Sequence, residues 1–211
     1  MNRSSLRSRV RTLTNIHSTA LLSDAQINDA LNEAHLELCG AYDWPFLIDS
    51  TTVSVVANDA TYTLPADVRQ VLLVSCNDNA GSARQLNAIS VFDADSLPAS
   101  SSAARPQWYT VEGSTLTLYP TPAGAETLTV RYVKTADDID GDGDVPPFAA
   151  EFHPAYAYAA AARLLAERGA SQAKVRSMTD VAAQFVERMR RFYLTSSDRA
   201  PVSLGKRRWR R

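Results

Sequence analysis

Residues 115–133, Thr-Leu-Thr-Leu-Tyr-Pro-Thr-Pro-Ala-Gly-Ala-Glu-Thr-Leu-Thr-Val-Arg-Tyr-Val, decide the fold class. Leu116 and Leu118 alternate with Thr115, Thr117 and Tyr119. Leu128, Val130 and Tyr132 alternate with Thr129 and Arg131 in the same way. A period of two puts one set of side chains on a buried face and the other in water, the pattern of half-buried antiparallel strands. The Pro-Thr-Pro-Ala-Gly between them is turn chemistry.

Upstream, Gln107–Glu112 precedes a Gly113-Ser114 turn and completes a hairpin with 115–119. Further back, Thr51–Ala57 and Tyr62–Leu64 read as strands, and Val68–Cys76 is an almost continuous apolar run that predicts a buried strand. Residues 96–105, Ser-Leu-Pro-Ala-Ser-Ser-Ser-Ala-Ala-Arg, have loop composition and predict an exposed excursion.

Downstream the period changes. Pro154 suits the first turn of a helix, and Ala155–Ala166 is apolar nearly all round with Arg163 its one charge. A helix without a polar face is buried on several sides. Gly169 marks its stop. Val175, Met178, Ala182, Phe185, Met189 and Phe192 follow at alternating steps of three and four, an a/d seam. The two helices predict an αα-hairpin.

The N-terminal end is also helical. Leu6, Val10, Leu13 and Ile16 lie on one face of a short helix over 4–16, with Arg3, Arg7, Arg9 and Arg11 expected on its wet side. Ser23-Asp24-Ala25-Gln26 is a capping box, and Ile27, Ala30, Leu31, Ala34 and Leu38 continue at helical spacing to Gly40. The expected class is therefore α+β. Residues 1–46 and 150–198 are expected to form a helical bundle, 47–149 an inserted antiparallel β domain, and 199–211 an extended basic tail.

Composition narrows the function. With 45% hydrophobic and 21% charged residues the chain is globular. No run approaches the ~20 apolar residues of a membrane span, and no apolar segment follows the basic N-terminus as in a signal peptide. Two cysteines, Cys39 and Cys76, make neither a disulfide framework nor a zinc site, which fits assembly in a reducing cytoplasm.

No motif brings catalysis, a cofactor or a metal with it. Asp138-Ile-Asp140-Gly-Asp142-Gly-Asp144 begins like a calcium loop, but the twelfth position is Ala149 instead of a bidentate Glu. It reads as an acidic linker. His17, His35 and His153 show no ligand spacing, and capping is the expected role of His153. No nucleophile elbow or phosphate loop occurs.

Charge is uneven along the chain. Lys206, Arg207, Arg208, Arg210 and Arg211 contribute +5 to a net charge of −1, leaving the rest near −6. Three readings of this tail stand side by side: a solvated terminus, docking on an acidic protein surface with Trp209 as anchor, or contact with DNA phosphates.

Several motifs in order resemble one family. Asp43-Trp44-Pro45-Phe46 leads out of a capped helix into strands. Later come Leu-Tyr-Pro-Thr-Pro (118–122), Leu-Thr-Val-Arg-Tyr-Val (128–133), an acidic linker (137–144), Pro-Pro-Phe (146–148) and Phe-His-Pro-Ala-Tyr (152–156) opening an Ala-rich helix. This succession, from about residue 4 to 195, resembles the head-to-tail adaptor, or connector, proteins of tailed bacteriophages, of the short-tailed type. The loop at 96–105 and the basic tail have no counterpart in it.

The resemblance implies a structural virion protein without catalysis, assembled in the host cytoplasm as a dodecameric ring below the portal. Such a ring extends the DNA channel, lets DNA pass without sequence-specific binding, and carries tail or nozzle proteins and tail fibres. In such proteins terminal segments commonly reach onto the portal, so Lys206, Arg207, Arg208, Trp209, Arg210 and Arg211 are expected to form a portal-docking tail. Tyr156, Ala159, Ala160, Phe185 and Met189 are expected at subunit packing surfaces. Two other classes compete: a DNA-binding module using the basic tail, and a ligand-binding β-sandwich with Trp108, Tyr109 and Tyr119 as a sugar platform.

Overall fold

The computed structural model describes residues 1–77, 83–97 and 103–197. Part of the loop expected at 96–105 and all of the basic tail lie outside the described residues. Within them the fold is α+β, as the two periodicities predict.

The chain divides into two compact units. One is Met1–Phe46 together with the chain from Asp137 on; the other is Leu47–Ala136. The expected boundary at 149/150 is too late. The acidic linker belongs with the helices because they hold its backbone: Arg3 N donates to Asp144 O (2.9 Å), Ser4 N to Asp142 O (3.2 Å), and Ile139 N to Asn32 Oδ1 (3.2 Å).

In the helical unit, α1 (Arg3–Thr14) begins at Asn2, whose side chain accepts from Ser5 N, and ends at Asn15 in the left-handed conformation. Helix α2 (Asp24–Gly40) has both bonds of the expected capping box, Gln26 N to Ser23 Oγ (3.2 Å) and Ser23 N to Gln26 Oε1 (3.0 Å). Ile27, Ala30, Leu31, Ala34 and Leu38 are all buried.

A short helix, α3 (Val91–Asp95), lies in the other unit and has no periodic signal in sequence. Helix α4 (Pro154–Glu167) packs against α1, α2 and α5 (Gln172–Ser197), which explains its apolar circumference. Gly169, at φ +68°, closes α4 in the left-handed conformation, and Ala170 N reaches back to Leu165 O at 2.9 Å.

The β unit holds two four-stranded sheets among the described residues. Strands β1 (Ile48–Val55), β8 (Glu126–Lys134), β3 (Val68–Asn77) and β4 (Ala83–Gln85) form one, in that order and all antiparallel. Strands β2 (Thr61–Thr63), β7 (Thr115–Tyr119), β6 (Trp108–Glu112) and β5 (Asn87–Ala88) form the other. Their inward residues, including Leu116, Leu118, Leu128, Val130 and Tyr132, share one core. Gly113 turns the β6–β7 hairpin at φ +59°, a left-handed conformation that glycine adopts at no steric cost.

One pair departs from the antiparallel pattern, and one strand expectation is corrected. The β5–β6 pair is parallel, because the chain makes a crossover through α3 before β6. The β3 run is not buried throughout: register shifts at Val68/Gln70 and Val71/Leu73 turn side chains outward, leaving Leu72 42% exposed.

Candidate functional site

The helical unit is held by three polar and aromatic devices, and together they define the surface left for partners. The first centres on α4. Tyr156 is fully buried, and its ring stacks on His35 with centroids 5.6 Å apart. His35 Nε2 donates to the Asp137 carbonyl at 2.9 Å, which leaves Nδ1 to accept from the Tyr156 hydroxyl at 3.3 Å. Burial pushes the imidazole pKa down and the phenol pKa up, so both rings are neutral in the native protein.

The second device is an aromatic cluster of Trp44, Phe46, Phe148 and Tyr193, with centroid separations from 4.7 to 6.4 Å. Trp44 Nε1 donates to Leu38 O at 2.8 Å, and the Tyr193 hydroxyl accepts from Ala149 N at 2.7 Å. Tyr193 thereby anchors the C-terminal part of α5, from which residues 198–211 continue.

The third device corrects the expectation for α1. Arg3, Arg7 and Arg11 do not lie in open water; their side chains are only 14–16% exposed. Arg7 Nη2 meets Asp142 Oδ2 at 2.9 Å, Arg3 Nη2 meets Asp142 Oδ1 at 3.3 Å, and Arg11 Nη2 meets Asp24 Oδ1 at 2.5 Å. The hydrogen bond from Arg7, seconded by Arg3, holds the Asp142 carboxyl below the usual carboxylate range. Asp144 Oδ2 accepts from Gly141 N at 2.6 Å and caps its own turn. Two of the calcium-like carboxylates, Asp142 and Asp144, thus serve guanidiniums and backbone. Among the described residues no group of three or more His, Cys, Asp and Glu could hold a metal ion.

What remains open is a groove of about 570 Å³ between α2, α4 and α5. Leu38, Ala159, Ala162, Ala166, Ala183 and Val186 line it, with Glu37, Arg163 and Glu187 among its charged residues. Arg163 is already held by Glu33 at 2.6 Å and Glu37 at 2.5 Å. On the other flank of α5, Phe185 stacks with Tyr158 at 6.2 Å and Arg188 lies 5.4 Å from the Phe185 ring centre.

A model of the SU10 adaptor protein family matches residues 1–208. The chain belongs to the SU10 adaptor family. An SU10 adaptor is a structural protein of the phage particle, in agreement with the resemblance read from the ordered motifs. No curated protein matches the chain. Among the described residues, no helix of this SU10 adaptor is long and apolar enough to cross a membrane.

Of the adaptor's residues expected at subunit surfaces, the structure divides the set. Tyr156, Ala160 and Met189 are fully buried in their own helical unit, so their side chains have no surface left for a neighbour. Ala159 and Phe185 keep partial exposure, on the groove and on the opposite flank respectively. Residues 206–211, expected to dock on the portal, lie outside the described residues. His153 is buried and makes no side-chain cap; its Nε2 donates to Phe148 O at 2.9 Å. The three sugar-platform aromatics fail to share a face: Trp108 pairs with Tyr119 across β6 and β7, while Tyr109 alternates to the other side and is buried.

The sequence reading missed the groove itself. Ala159, Ala162 and Ala166 recur at steps of three and four on α4, a signal of one small-residue face that was absorbed into the all-round apolar pattern. The four-residue spacing of Arg3, Arg7 and Arg11 was likewise a row awaiting carboxylates, Asp142 of the acidic linker for the first two and Asp24 for the third.

Proposed function

We infer that this adaptor assembles as a twelve-copy ring below the portal of a tailed phage, extends the DNA channel, and carries tail or nozzle proteins and tail fibres. Assembly takes place in the host cytoplasm. Lys206–Arg211 docks on the portal, with Trp209 as its apolar anchor among charge-assisted contacts. The observation that carries this reading is the family match across residues 1–208. Charge supports it: outside the tail the chain is near −6, so DNA passes an acidic body that offers its phosphates no grip. The pairing of Arg3, Arg7 and Arg11 with Asp142 and Asp24 removes three of the four N-terminal arginines from phosphate binding.

Native mass spectrometry of the full chain, alone and mixed with its candidate portal ring, tests the proposal. The expected result is a twelve-copy species on the portal that fails to form when residues 199–211 are deleted. A protein that stays monomeric beside the portal overturns the adaptor ring. DNA affinity that falls steeply with salt, and disappears with the same deletion, would instead establish the DNA-binding reading.

A further inference from the structure

The two flanks of α5 are unlike in shape and in charge. At 3.6 residues per turn, Phe185, Arg188 and Phe192 fall on one flank, and Thr179, Ala183 and Val186 fall roughly 150° away round the axis. The first flank is a ridge of large side chains: Phe192 is 53% exposed and Phe185 half-buried. Arg188 and Arg9 complete it, the one near the rings of Phe152 and Phe185, the other 6.0 Å from the ring centre of Tyr158. Neither guanidinium has a carboxylate partner among the described residues.

The second flank faces the groove. Its apolar floor is alanine-rich, and two carboxylates, Glu37 and Glu187, line it against one guanidinium, Arg163; Glu33 and Arg190 pair with Arg163 and Glu187 respectively. Large stands against small, and unpaired positive charge against an excess carboxylate.

We propose that the groove between α2, α4 and α5 receives the Phe185–Arg188–Phe192 ridge of a second copy of this chain. The occupant is a copy because the complementary ridge is carried by the same helix, on its far flank. Two different faces on opposite sides of one subunit make a heterologous contact, the kind that propagates from copy to copy and closes as a ring; a two-fold dimer would need one self-complementary face. Arg188 enters beside Glu37 and Glu187, and the phenyl rings cover the alanines, where the absence of long side chains allows close approach. The proposal rests on the ring reading above and names the surfaces that make the ring.

Disulfide trapping in full-length protein tests it. Ala183→Cys and Phe192→Cys both lie at exposed positions, so each variant folds, and the native Cys39 and Cys76 are buried. Each variant alone, and the two mixed, are assembled with the candidate portal ring and mildly oxidised, while the copy number of the unsubstituted protein on the portal is read in parallel by native mass spectrometry. The expected result is a cross-linked dimer in the mixture that is absent from either variant alone. A multi-copy ring without the mixed cross-link overturns this pairing while leaving the ring intact, and means that a portal or tail segment, or nothing, fills the groove. Cross-linking of either variant with itself points to a two-fold contact and overturns the pairing too. Absence of any multi-copy species of the unsubstituted protein overturns the ring reading together with the pairing.

Discussion

Arg7 and Asp142, 135 positions apart in sequence, meet at 2.9 Å and fasten the linker that enters α4 to the first helix of the chain. Arg3 shares the same carboxylate and also donates to the Ile139 carbonyl at 2.9 Å. A helix that looked free to bind outward is instead tied to its own unit.

Asp142→Asn should therefore lower the melting temperature at neutral pH. The sign follows from the depressed pKa. The paired carboxylate contributes stability above the ordinary carboxylate pKa of about 3.9, and that contribution is lost as pH falls through its lower folded value. Because Asp142 is exposed, the difference between the variant and the parent should shrink in about 1 M salt, where screening acts over roughly 3 Å. Calcium or a chelator should leave both melting curves unmoved; a calcium-dependent rise would contradict the pairing.

His35 gives a second pH dependence, in a different window. Its burial holds the imidazole neutral with a pKa below the usual value of about 6.5. The unfolded chain takes up a proton there first, so stability is complete above that value and declines as pH drops below it. Melting at pH 7.5 and 5.5 should show the decline in the parent and a flatter profile in His35→Gln. Tyr156→Phe, which removes only the hydroxyl facing Nδ1, should cost about 1 kcal/mol. A variant with the parental pH slope would remove His35 from this role.

Core and surface alanines on the same pair of helices should behave differently. Met189→Ala should destabilise the free protein by about 2–5 kcal/mol and Ala160→Leu by about 1–3 kcal/mol, since both residues are fully buried. Ala183→Leu lies on the exposed groove and should stay within about 0.5 kcal/mol. Chemical denaturation of the four proteins checks the order, and equal costs at 160 and 183 would contradict the packing described here.

Thiol reactivity checks the β unit. Cys76 is buried and donates to Glu126, and burial first, then the carboxylate, pushes its pKa up to about 12. Cys39 is buried as well. Neither thiol should react with an aromatic disulfide reagent at pH 8 in the native protein, and both should react once it is unfolded. A fast native reaction at one thiol would show that its unit opens.

Local rules were legible wherever a residue's neighbours in sequence are also its neighbours in space. The Ser23–Gln26 capping box, the Gly169 stop of α4, the Gly113 turn and the alternation of Leu116, Leu118, Leu128, Val130 and Tyr132 all act within a few residues, and all stand in the structure as read. Helix α3 escaped because five residues are too few to show a period. The outward turn of Leu72 escaped because a bulge depends on the partner strand's register, which β3 alone does not encode.

The sequence by itself determined the α+β class, most helix and strand positions, and, through the order of its motifs, the adaptor family. Periodicity and capping fix which face of an element is apolar, but not which element covers it. Only the tertiary structure decided that Arg3, Arg7 and Arg11 face carboxylates instead of water, that Tyr156 and Met189 belong to the subunit's own core, and that Ala159 and Ala183 border an open groove. The physical reason is that a charge is wet or paired, and an alanine covered or exposed, according to partners more than 100 residues away for Arg7 and Arg163.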